Sequence, residues 1–560
     1  MKRLSIIFCI SISAQIVVAQ SEVQNIATFC KIWGFLKYYH PAVVTGDVDW
    51  DSEFVNRIAH VATLNTKEDR SSYYIDWIEG LGKIRNCKKC GYNKKDEQTP
   101  NFDTAWQKDS TLFTDSLIEK LHVVLNNRSW GKNYYVSYKK VFFVKAASPN
   151  YKNEKMYADS IYPSYRLRLL TLCRYWNIIN FFYPYKYLVK PDWNDVLVQM
   201  IPQFKNASDT LDYHLAIAKL NASIQDSHSP FFWTPQTIAH FGVKTPVFQY
   251  RVLNDKVIIS GFYNDSLGKK SGIEVGDIVL KIGRVPLSNT IKEKSYYVGA
   301  SNDECLRRDL SYFLLNGNED SMLLTIQRND SIIEKTAFRI PMDHILYMNK
   351  KEDLGKAWKS LNDSVGYVDL ANLESRDVSR MMTEFNSTKA IIFDIRNYPR
   401  NVYSHISNYI NDNRKAFVSF ITPDRNFPGL FVENKTLYVG KKNKNYYKGL
   451  IIILINEQTQ SMAELTVMAL LTSPNVISIG SHTAGTNGEI VNIPLPGGFQ
   501  TKMSSIDVRF PDGRQTQRIG IVPNILVVPT FEGIKQGRDE VLEKALNIIS
   551  YAMDSLQKKY

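Results

Sequence analysis

Short, continuous runs of apolar residues, each bounded by polar residues, occur at intervals in the last third of the chain. Residues 390–394 (AIIFD) and 450–455 (LIIILI) are two of them. Runs of this length predict strands that are buried on both faces. A polar turn follows the second run, and the helix-forming residues 462–471 then predict a helix. Strands and helices in this order predict a layered α/β core.

Ser461 lies where the second of these strands would lead into the helix. Backbone N–H groups without intrahelical partners and the positive end of the helix dipole meet at such a point. A hydroxyl there can attack a carbonyl group while the N–H of Met462 receives the charge that develops on oxygen. The same residues also fit an ordinary serine N-cap, with Glu464 completing a capping box. The local pattern leaves both interpretations open.

The N-terminal part of the chain has helical periodicity and an internal repeat. Residues 29–58 align without gaps with residues 172–201, an offset of 143 (172 − 29). The identical pairs are Cys30 and Cys173, Trp33 and Trp176, Pro41 and Pro184, Asp49 and Asp192, and Trp50 and Trp193. Each segment predicts an aromatic-rich helix, a proline turn and a second helix. We expect two related helical units packed together, with the aromatic side chains in the core.

Composition and charge narrow the possible classes of function. A chain of 560 residues, of which 44% are apolar, is long enough for several packed domains. The net charge of +13 comes from basic residues scattered among acidic ones. Such scattering predicts a solvated basic surface rather than a nucleic-acid site.

Residues 1–20 have the basic start, apolar middle and small-residue end of a secretory signal peptide. No later stretch has the ~18 apolar residues that a membrane span needs, so we expect an exported protein, periplasmic or extracellular, without a stable span. Beyond the leader, Cys87 and Cys90 have the spacing of half a zinc site, but no second pair follows. A local disulfide or two free thiols is expected there, and no metal.

The Ser461 segment resembles the nucleophile segment of the C-terminal processing (tail-specific) serine peptidases. The resemblance rests on Asn456, on Ser461-Met-Ala-Glu464 and on residues 479–485 (IGSHTAG). It implies that Ser461 is the nucleophile. One branch of that family has a Lys base in the turn that follows, where this chain has Thr486. The other branch, which resembles the core of the tricorn protease, uses a His that lies far upstream.

Asp226-Ser227-His228 is similar to the D-x-H-[ST] segment of that second branch. The resemblance implies that His228 is the general base and that Ser227 supplies a hydroxyl near the oxyanion. The branch also has a catalytic Glu three residues before the glycine that opens its G-[IV]-x-P segment. Gly520 is that glycine here, and Gln517 stands at the position of the Glu. An amide can orient a partner but adds no negative charge beside an imidazolium.

The oxyanion-hole turn of the family follows a buried strand and is rich in glycine. Residues 395–400 (IRNYPR) stand in its place and contain none. Pro399 has no N–H to donate. The resemblance therefore implies two donors, the N–H of Met462 and an N–H group near Tyr398.

Residues 271–283 resemble the helix, glycine turn and strand of PDZ domains. A PDZ domain binds a peptide as an added strand, although a β scaffold with a blocked groove also fits. The resemblance implies a multidomain α/β chain with helical N-terminal repeats, a PDZ-like β domain and a ClpP/crotonase-like α/β core. The expected boundaries are 1–20 for the signal peptide, 21–150 for the domain with the first repeat unit, 151–245 for the unit with His228, 246–347 for the PDZ-like domain and 348–560 for the peptidase core.

These expectations combine into a secreted serine endopeptidase that hydrolyses proteins or peptides and needs no cofactor. Ser461 and His228 would carry the reaction. Because neither branch has its full set of residues here, a catalytically degenerate relative that binds peptides or small apolar ligands stays open. Acyl-ester hydrolysis by the same residues is a third alternative.

Overall fold

The computed structural model of the protein describes residues 2–90, 101–141, 144–229, 231–343 and 356–557. Its helices are α1 (Lys2–Tyr39), α2 (Trp50–Val61), α3 (Lys67–Gly80), α4 (Asp115–Asn126), α5 (Tyr165–Phe182), α6 (Trp193–Asn206), α7 (Thr210–Ala222), α8 (Pro235–Phe241), α9 (Asp265–Ser271), α10 (Leu287–Ser295), α11 (Asp303–Leu310), α12 (Val378–Glu384), α13 (Tyr403–Ile410), α14 (Met462–Leu470), α15 (Phe531–Lys535) and α16 (Glu540–Gln557). Its strands are β1 (Ser137–Val141), β2 (Val144–Asn150), β3 (Lys244–Pro246), β4 (Phe248–Leu253), β5 (Lys256–Phe262), β6 (Ile278–Ile282), β7 (Val285–Pro286), β8 (Ser321–Arg328), β9 (Ser331–Pro341), β10 (Trp358–Asn362), β11 (Val365–Asp369), β12 (Ala390–Asp394), β13 (Lys415–Pro423), β14 (Phe431–Glu433), β15 (Leu437–Val439), β16 (Leu450–Ile455), β17 (Val476–Gly480), β18 (Ile490–Leu495), β19 (Phe499–Ser504), β20 (Asp507–Arg509) and β21 (Ile525–Leu526).

The chain divides into two compact units. The first unit consists of Met1–Ile224, Ile421–Asn434 and Glu489–Asp507, and the second of Gln225–Phe420, Lys435–Gly488 and Val508–Tyr560. Both contain helices and strands, and the prediction of a multidomain α/β chain is confirmed. Among the described residues, no helix has the length and apolarity that a membrane crossing requires.

Three segments lie in a different unit from the one that the expected boundaries give them. Residues 421–434 and 489–507, expected in the core, belong to the first unit, and residues 225–245, expected with the second repeat unit, belong to the second. The hairpin β18–β19 packs beside α5 and β2, so its contacts are with the first unit. The expected limit between the PDZ-like domain and the core, at residues 347 and 348, lies outside the described residues.

In the first unit, two tryptophan pairs make the same reciprocal hydrogen bonds. The indole N–H groups of Trp33 and Trp50 each donate to the other residue's carbonyl oxygen, at 3.0 and 3.1 Å. Trp176 and Trp193 do the same, at 2.7 and 3.0 Å. These four residues are the tryptophans that coincide in the sequence alignment. Buried indole N–H groups need an acceptor, and in both segments the partner helix supplies it.

The second unit contains a six-stranded sheet in the order β10-β11-β12-β16-β17-β21. All its strand pairs are parallel except β10–β11, which is antiparallel. Every residue of β12 is buried, and so is every residue of β16 after Leu450. Residues of α16, including Val541 and Ala545, pack in the core against these strands. The carboxyl ends of parallel strands lie at one edge of a sheet, which is where loops in such folds carry binding sites.

The second unit also contains an antiparallel sheet in the order β3-β9-β8-β6-β5-β4, with β7 beside β6. β4 is an outer strand of this sheet, and α11 packs beside it. The hairpin β4–β5 contains an irregularity: Gln249 pairs with Gly261 and Tyr250 pairs with Ile259, so Ser260 is an extra residue. Such a β-bulge turns side chains away from their regular direction.

The cysteines are of two kinds. Cys87 and Cys90 form a disulfide, one of the two states expected for this pair. Cys30, Cys173 and Cys305 are free and buried.

Candidate active site

Ser461 lies in a sharp turn between β16 and α14, directly before the helix begins. Its backbone has φ 58° and ψ −114°, in the left-handed half of the conformational map that side chains with a Cβ rarely occupy. The residue is half-buried. Met462 is the first residue of α14, so its N–H has no intrahelical acceptor. A hydroxyl and a backbone donor therefore lie side by side at the carboxyl edge of the parallel sheet.

Glu464, one turn into α14, is fully buried and accepts four hydrogen bonds. The donors are Thr483 Oγ1 at 2.5 Å, Gly485 N at 2.8 Å, Thr486 N at 3.1 Å and Ser461 N at 3.2 Å. Burial raises the pKa of this carboxyl group to about 7, although the four donors act in the opposite direction. The side chain thus joins the Ser461 turn to the turn that follows β17.

Replacement of Glu464 by glutamine should change how stability depends on pH. The pKa of Glu464 in the folded protein lies above its ordinary value of 4.5, so ionisation costs more in the folded state than in the unfolded state. The wild type should therefore lose stability relative to Glu464→Gln as pH rises from about 4.5 to 7, by about 3 kcal/mol, and no further above that pH. Thermal midpoints measured across this range test the prediction.

The matched control is Glu293→Gln, which changes an exposed glutamate on α10. Its thermal midpoint should follow that of the wild type at every pH. A difference between wild type and Glu464→Gln that is the same at pH 4.5 and pH 7 would contradict the titration of Glu464.

The loop that contains His228 is held by a second set of bonds. His228 is buried, and its backbone N–H donates to Asp226 Oδ1 at 3.0 Å. Ser227 N donates to Ser301 Oγ at 2.9 Å, and Ser301 N donates to Ser227 Oγ at 3.0 Å. Ser301 Oγ also bonds Thr486 Oγ1. The carbonyl of Thr486 in turn accepts from Ser461 N at 3.0 Å, so the bonds run from the histidine loop to the Ser461 turn.

A second, independent connection joins the same two loops. Gln460 Nε2 donates to the carbonyl of Ser227 at 3.3 Å. Arg308, on α11, fixes this glutamine because its Nη1 donates to Gln460 Oε1 and to the carbonyl of Glu457, each at 2.8 Å. The residue before Ser461 is therefore tied to the residue before His228.

Gln517 is fully buried, and neither atom of its amide has a hydrogen-bond partner within the described part of the chain. Its neighbour Arg518 is fixed at both ends. Arg518 N donates to the carbonyl of Gly485 at 2.7 Å, and its guanidinium bonds the side chain of Gln225. Buried polar groups ordinarily have partners, so the Gln517 amide keeps unused bonding capacity, and the residue that follows it is bonded to the turn after β17 and to the start of the histidine loop.

The loop after β12 contains Tyr398, whose side chain is 62% exposed. Arg396 braces this loop: it bonds Asp394 at 2.6 Å and Asp539 at 2.7 Å. β12 pairs with β16 in parallel register, so this loop and the Ser461 turn leave the sheet at the same edge. No group of three or more His, Cys, Asp or Glu side chains in the described ranges could hold a metal ion.

The structure thus connects the loops of Ser461, His228 and Ser227 by hydrogen bonds and joins the Gln517 segment to them through Arg518. Sequence reasoning missed three residues. The sequence showed Glu464 as a capping-box residue and as part of the Ser461 motif, whereas three of its four donors, Thr483, Gly485 and Thr486, come from another turn. No sequence pattern marks Ser301 or Arg308 as a support of the site, because serines in loops and arginines on helices are common in any protein.

A serine at the end of a buried parallel strand, beside the N-terminus of a helix and linked to a histidine loop, defines the class of serine-type hydrolases. Residues 364–527 match the family model described as peptidase family S41. The chain therefore contains an S41 peptidase domain and is a serine-type peptidase, and this class, predicted from the sequence, is confirmed. No curated protein is significantly similar to it in sequence.

Solved structures resemble the chain at low sequence identity. Mature CPAF complexed with lactacystin matches with a TM-score of 0.52 and 14% identity, over 70% of this chain and 99% of that one. The photosystem II D1 C-terminal processing protease matches with a TM-score of 0.37 and 16% identity, over 67% and 98%. The tricorn protease matches with a TM-score of 0.34 and 15% identity, over 70% and 37%. The likeness to CPAF is one of fold alone.

Proposed function

We propose that this chain is an exported serine endopeptidase that cleaves proteins or peptides, with Ser461 as nucleophile and His228 as general base. The observation that carries the proposal is the double connection between their loops. One connection runs through Ser301 and Thr486, and the other through Gln460. Two loops 233 residues apart (461 − 228) are thus held together, as a nucleophile and its base require.

The reaction proceeds by acyl transfer. His228 removes the hydroxyl proton while Ser461 Oγ attacks the peptide carbonyl, and the negative charge moves to the carbonyl oxygen. The N–H of Met462 and an N–H group near Tyr398 stabilise this oxyanion, aided by the dipole of α14. The imidazolium then gives its proton to the leaving amine. Water, deprotonated by the same histidine, hydrolyses the acyl-enzyme.

Ser227 and Gln517 assist rather than attack. The Ser227 hydroxyl accepts from Ser301 N, which supports a role in shaping the site near the oxyanion. The amide of Gln517 has its bonding capacity unused, which suits a group that orients the imidazole or a water molecule. Thr486 stands at the position of the alternative Lys base and is buried, which favours the histidine mechanism.

We assign three further features by the same reasoning. The sheet β3–β9 is a PDZ-like domain, with the outer strand β4 available for a peptide. The two tryptophan-paired segments of the first unit are the helical repeats. Residues 1–20 are a signal peptide, which directs the protein to the periplasm or the outside.

A fluorophosphonate probe tests the proposal, since it reacts only with an activated serine. The wild type should be labelled at Ser461, and labelling should disappear in Ser461→Ala and in His228→Ala. His482→Ala is the matched control: it alters a histidine in the turn after β17 whose ring, among the described residues, bonds the carbonyl of Ile519 alone, and labelling should persist. An unlabelled wild type would favour the degenerate binding protein instead.

A further inference from the structure

Two adjoining cavities of about 520 and 370 Å³ form one cleft beside the catalytic loops. Both are lined by Arg396, from the loop after β12, and by Asn456 and Glu457, from the loop that leads to Ser461. The hairpin β4–β5 forms another wall of both cavities. A peptide in this cleft would therefore run past the loops that carry the nucleophile and the oxyanion donors.

Three side chains of the hairpin, Gln249, Arg251 and Ser260, line both cavities. Gln249 and Arg251 are two residues apart on β4 and so lie on the same face of the strand. Ser260 is the extra residue of the β-bulge opposite them, and the bulge accounts for its presence on that face. We call Gln249, Arg251 and Ser260 the donor cluster, because each side chain carries an N–H or O–H group.

The donor cluster has no acceptor in the protein: within the described ranges, none of its three side chains makes a hydrogen bond or an ion pair. The other arginines of the cleft are all paired. Arg307 pairs with Glu304 at 3.2 Å, Arg308 with Asp309 at 2.7 Å, Arg396 with Asp394 at 2.6 Å, and Arg538 with Glu543. The acidic residue that lines both cavities, Glu457, accepts from Ser481 Oγ at 3.2 Å. The charge of Arg251 is thus available to a ligand.

We propose that the donor cluster binds the carboxylate of an acidic side chain in the substrate and selects peptides that carry Asp or Glu at the corresponding position. This inference rests on the proposed function. A guanidinium, an amide N–H and a hydroxyl are suitable donors to a carboxylate. The net charge, +13 for the whole chain and +11 without Lys2 and Arg3 of the proposed signal peptide (13 − 2), also attracts acidic chains from a distance.

The position of the cluster favours a side chain over the free carboxylate at a chain end. The three residues line the part that the two cavities share, and each cavity continues beyond them. A chain that ended at Arg251 would leave one of the cavities empty. A chain that passes through fills both and presents a side chain to the cluster.

Binding is measured with short fluorescein-labelled peptides of alanine and valine that carry one Asp, Asn or Lys at successive positions. The protein is the Ser461→Ala variant, in which peptides are not consumed. At one position Asp should bind roughly tenfold more tightly than Asn, with Lys weakest. In the background of Arg251→Glu the order should reverse, with Lys preferred over Asp, and Arg251→Gln should abolish the preference.

The matched control is Arg284→Glu, which reverses another exposed arginine of the same sheet region that does not line the cleft. It should keep the preference for Asp. If Arg251→Glu behaves like Arg284→Glu with every peptide, the proposal is wrong. If amidation of the peptide C-terminus alone removes binding, the ligand is a chain end and the proposal is also wrong. Because binding is read without hydrolysis, neither result depends on whether the wild type cleaves peptides.

Discussion

Replacement of Ser461 by alanine is expected to lower the turnover number for peptide hydrolysis by roughly 10⁶-fold and to leave the fold intact. The bonds that fix the turn come from the backbone N–H of Ser461, which donates to Thr486 and Glu464. Alanine keeps that N–H and loses only the hydroxyl. Turnover measured with a chromogenic peptide, together with the far-ultraviolet circular dichroism spectrum, tests both parts.

The competing interpretation is that Ser461 serves only as a helix cap. The alanine variant would then retain most of its activity and lose about 1 kcal/mol of stability. If Ser461→Ala retains more than a tenth of the wild-type turnover, Ser461 is a helix cap and not the nucleophile. Replacement of Ser473, a buried serine that bonds the carbonyl of Ile410, by alanine is a suitable control, since it removes a hydroxyl that lies beyond the opposite end of α14.

Replacement of His228 by alanine should reduce kcat/KM by roughly 10⁴-fold or more, because no other group would take the proton of the attacking hydroxyl. In the wild type, activity should fall as pH drops below about 7 and stay level toward pH 8, since an imidazole ordinarily titrates near that range. The measurement is kcat/KM from acid to alkaline pH in both proteins.

Two variants separate His228 from other groups that could titrate. Burial raises the pKa of Glu464 to about 7, which is close to the pH at which activity should fall. If the histidine causes the fall of kcat/KM at acid pH, the acid limb of the pH profile, this limb must persist in Glu464→Gln. A lysine base such as Lys502 would keep activity rising above pH 8, because lysine ordinarily titrates near ~10.4. An acid limb above pH 8 that disappears in Lys502→Met, or full activity in His228→Ala, would overturn the assignment.

The central strands and the nucleophile helix were predictable because their signals are local. β12 and β16 occupy the apolar runs found in the sequence, since a strand buried on both faces accepts apolar residues throughout. α14 begins directly after Ser461, where the capping pattern indicated a helix start.

The supports of the site were not predictable, because they join residues that are distant in sequence. Ser227 and Ser301 are 74 residues apart, and Arg308 and Gln460 are 152 apart. Neither Ser301 nor Arg308 belongs to a periodic pattern or a motif. Both come from the sequence region expected to form a separate PDZ-like domain, so removing that region would take away supports of the Ser461 and His228 loops as well as the outer strand β4.

The hairpin β18–β19 illustrates the same limit in the first unit. Its alternating residues predict a hairpin equally well in either unit, and only contacts such as the one between Arg174 and the carbonyl of Pro494, at 3.3 Å, assign it. Local periodicity carries no information about which surface such a hairpin covers.

The backbone of Ser461 also bears on how this protein can evolve. A residue with a Cβ in the conformation φ 58°, ψ −114° is strained by about 1–3 kcal/mol, whereas glycine adopts positive φ at little cost. At this position, therefore, glycine would give the more stable fold but has no hydroxyl, whereas serine has the hydroxyl and destabilises the fold. Random mutation that is filtered for folding alone would favour glycine here. A change of Ser461 to glycine would then give a more stable protein that has lost the hydroxyl on which the proposed cleavage depends.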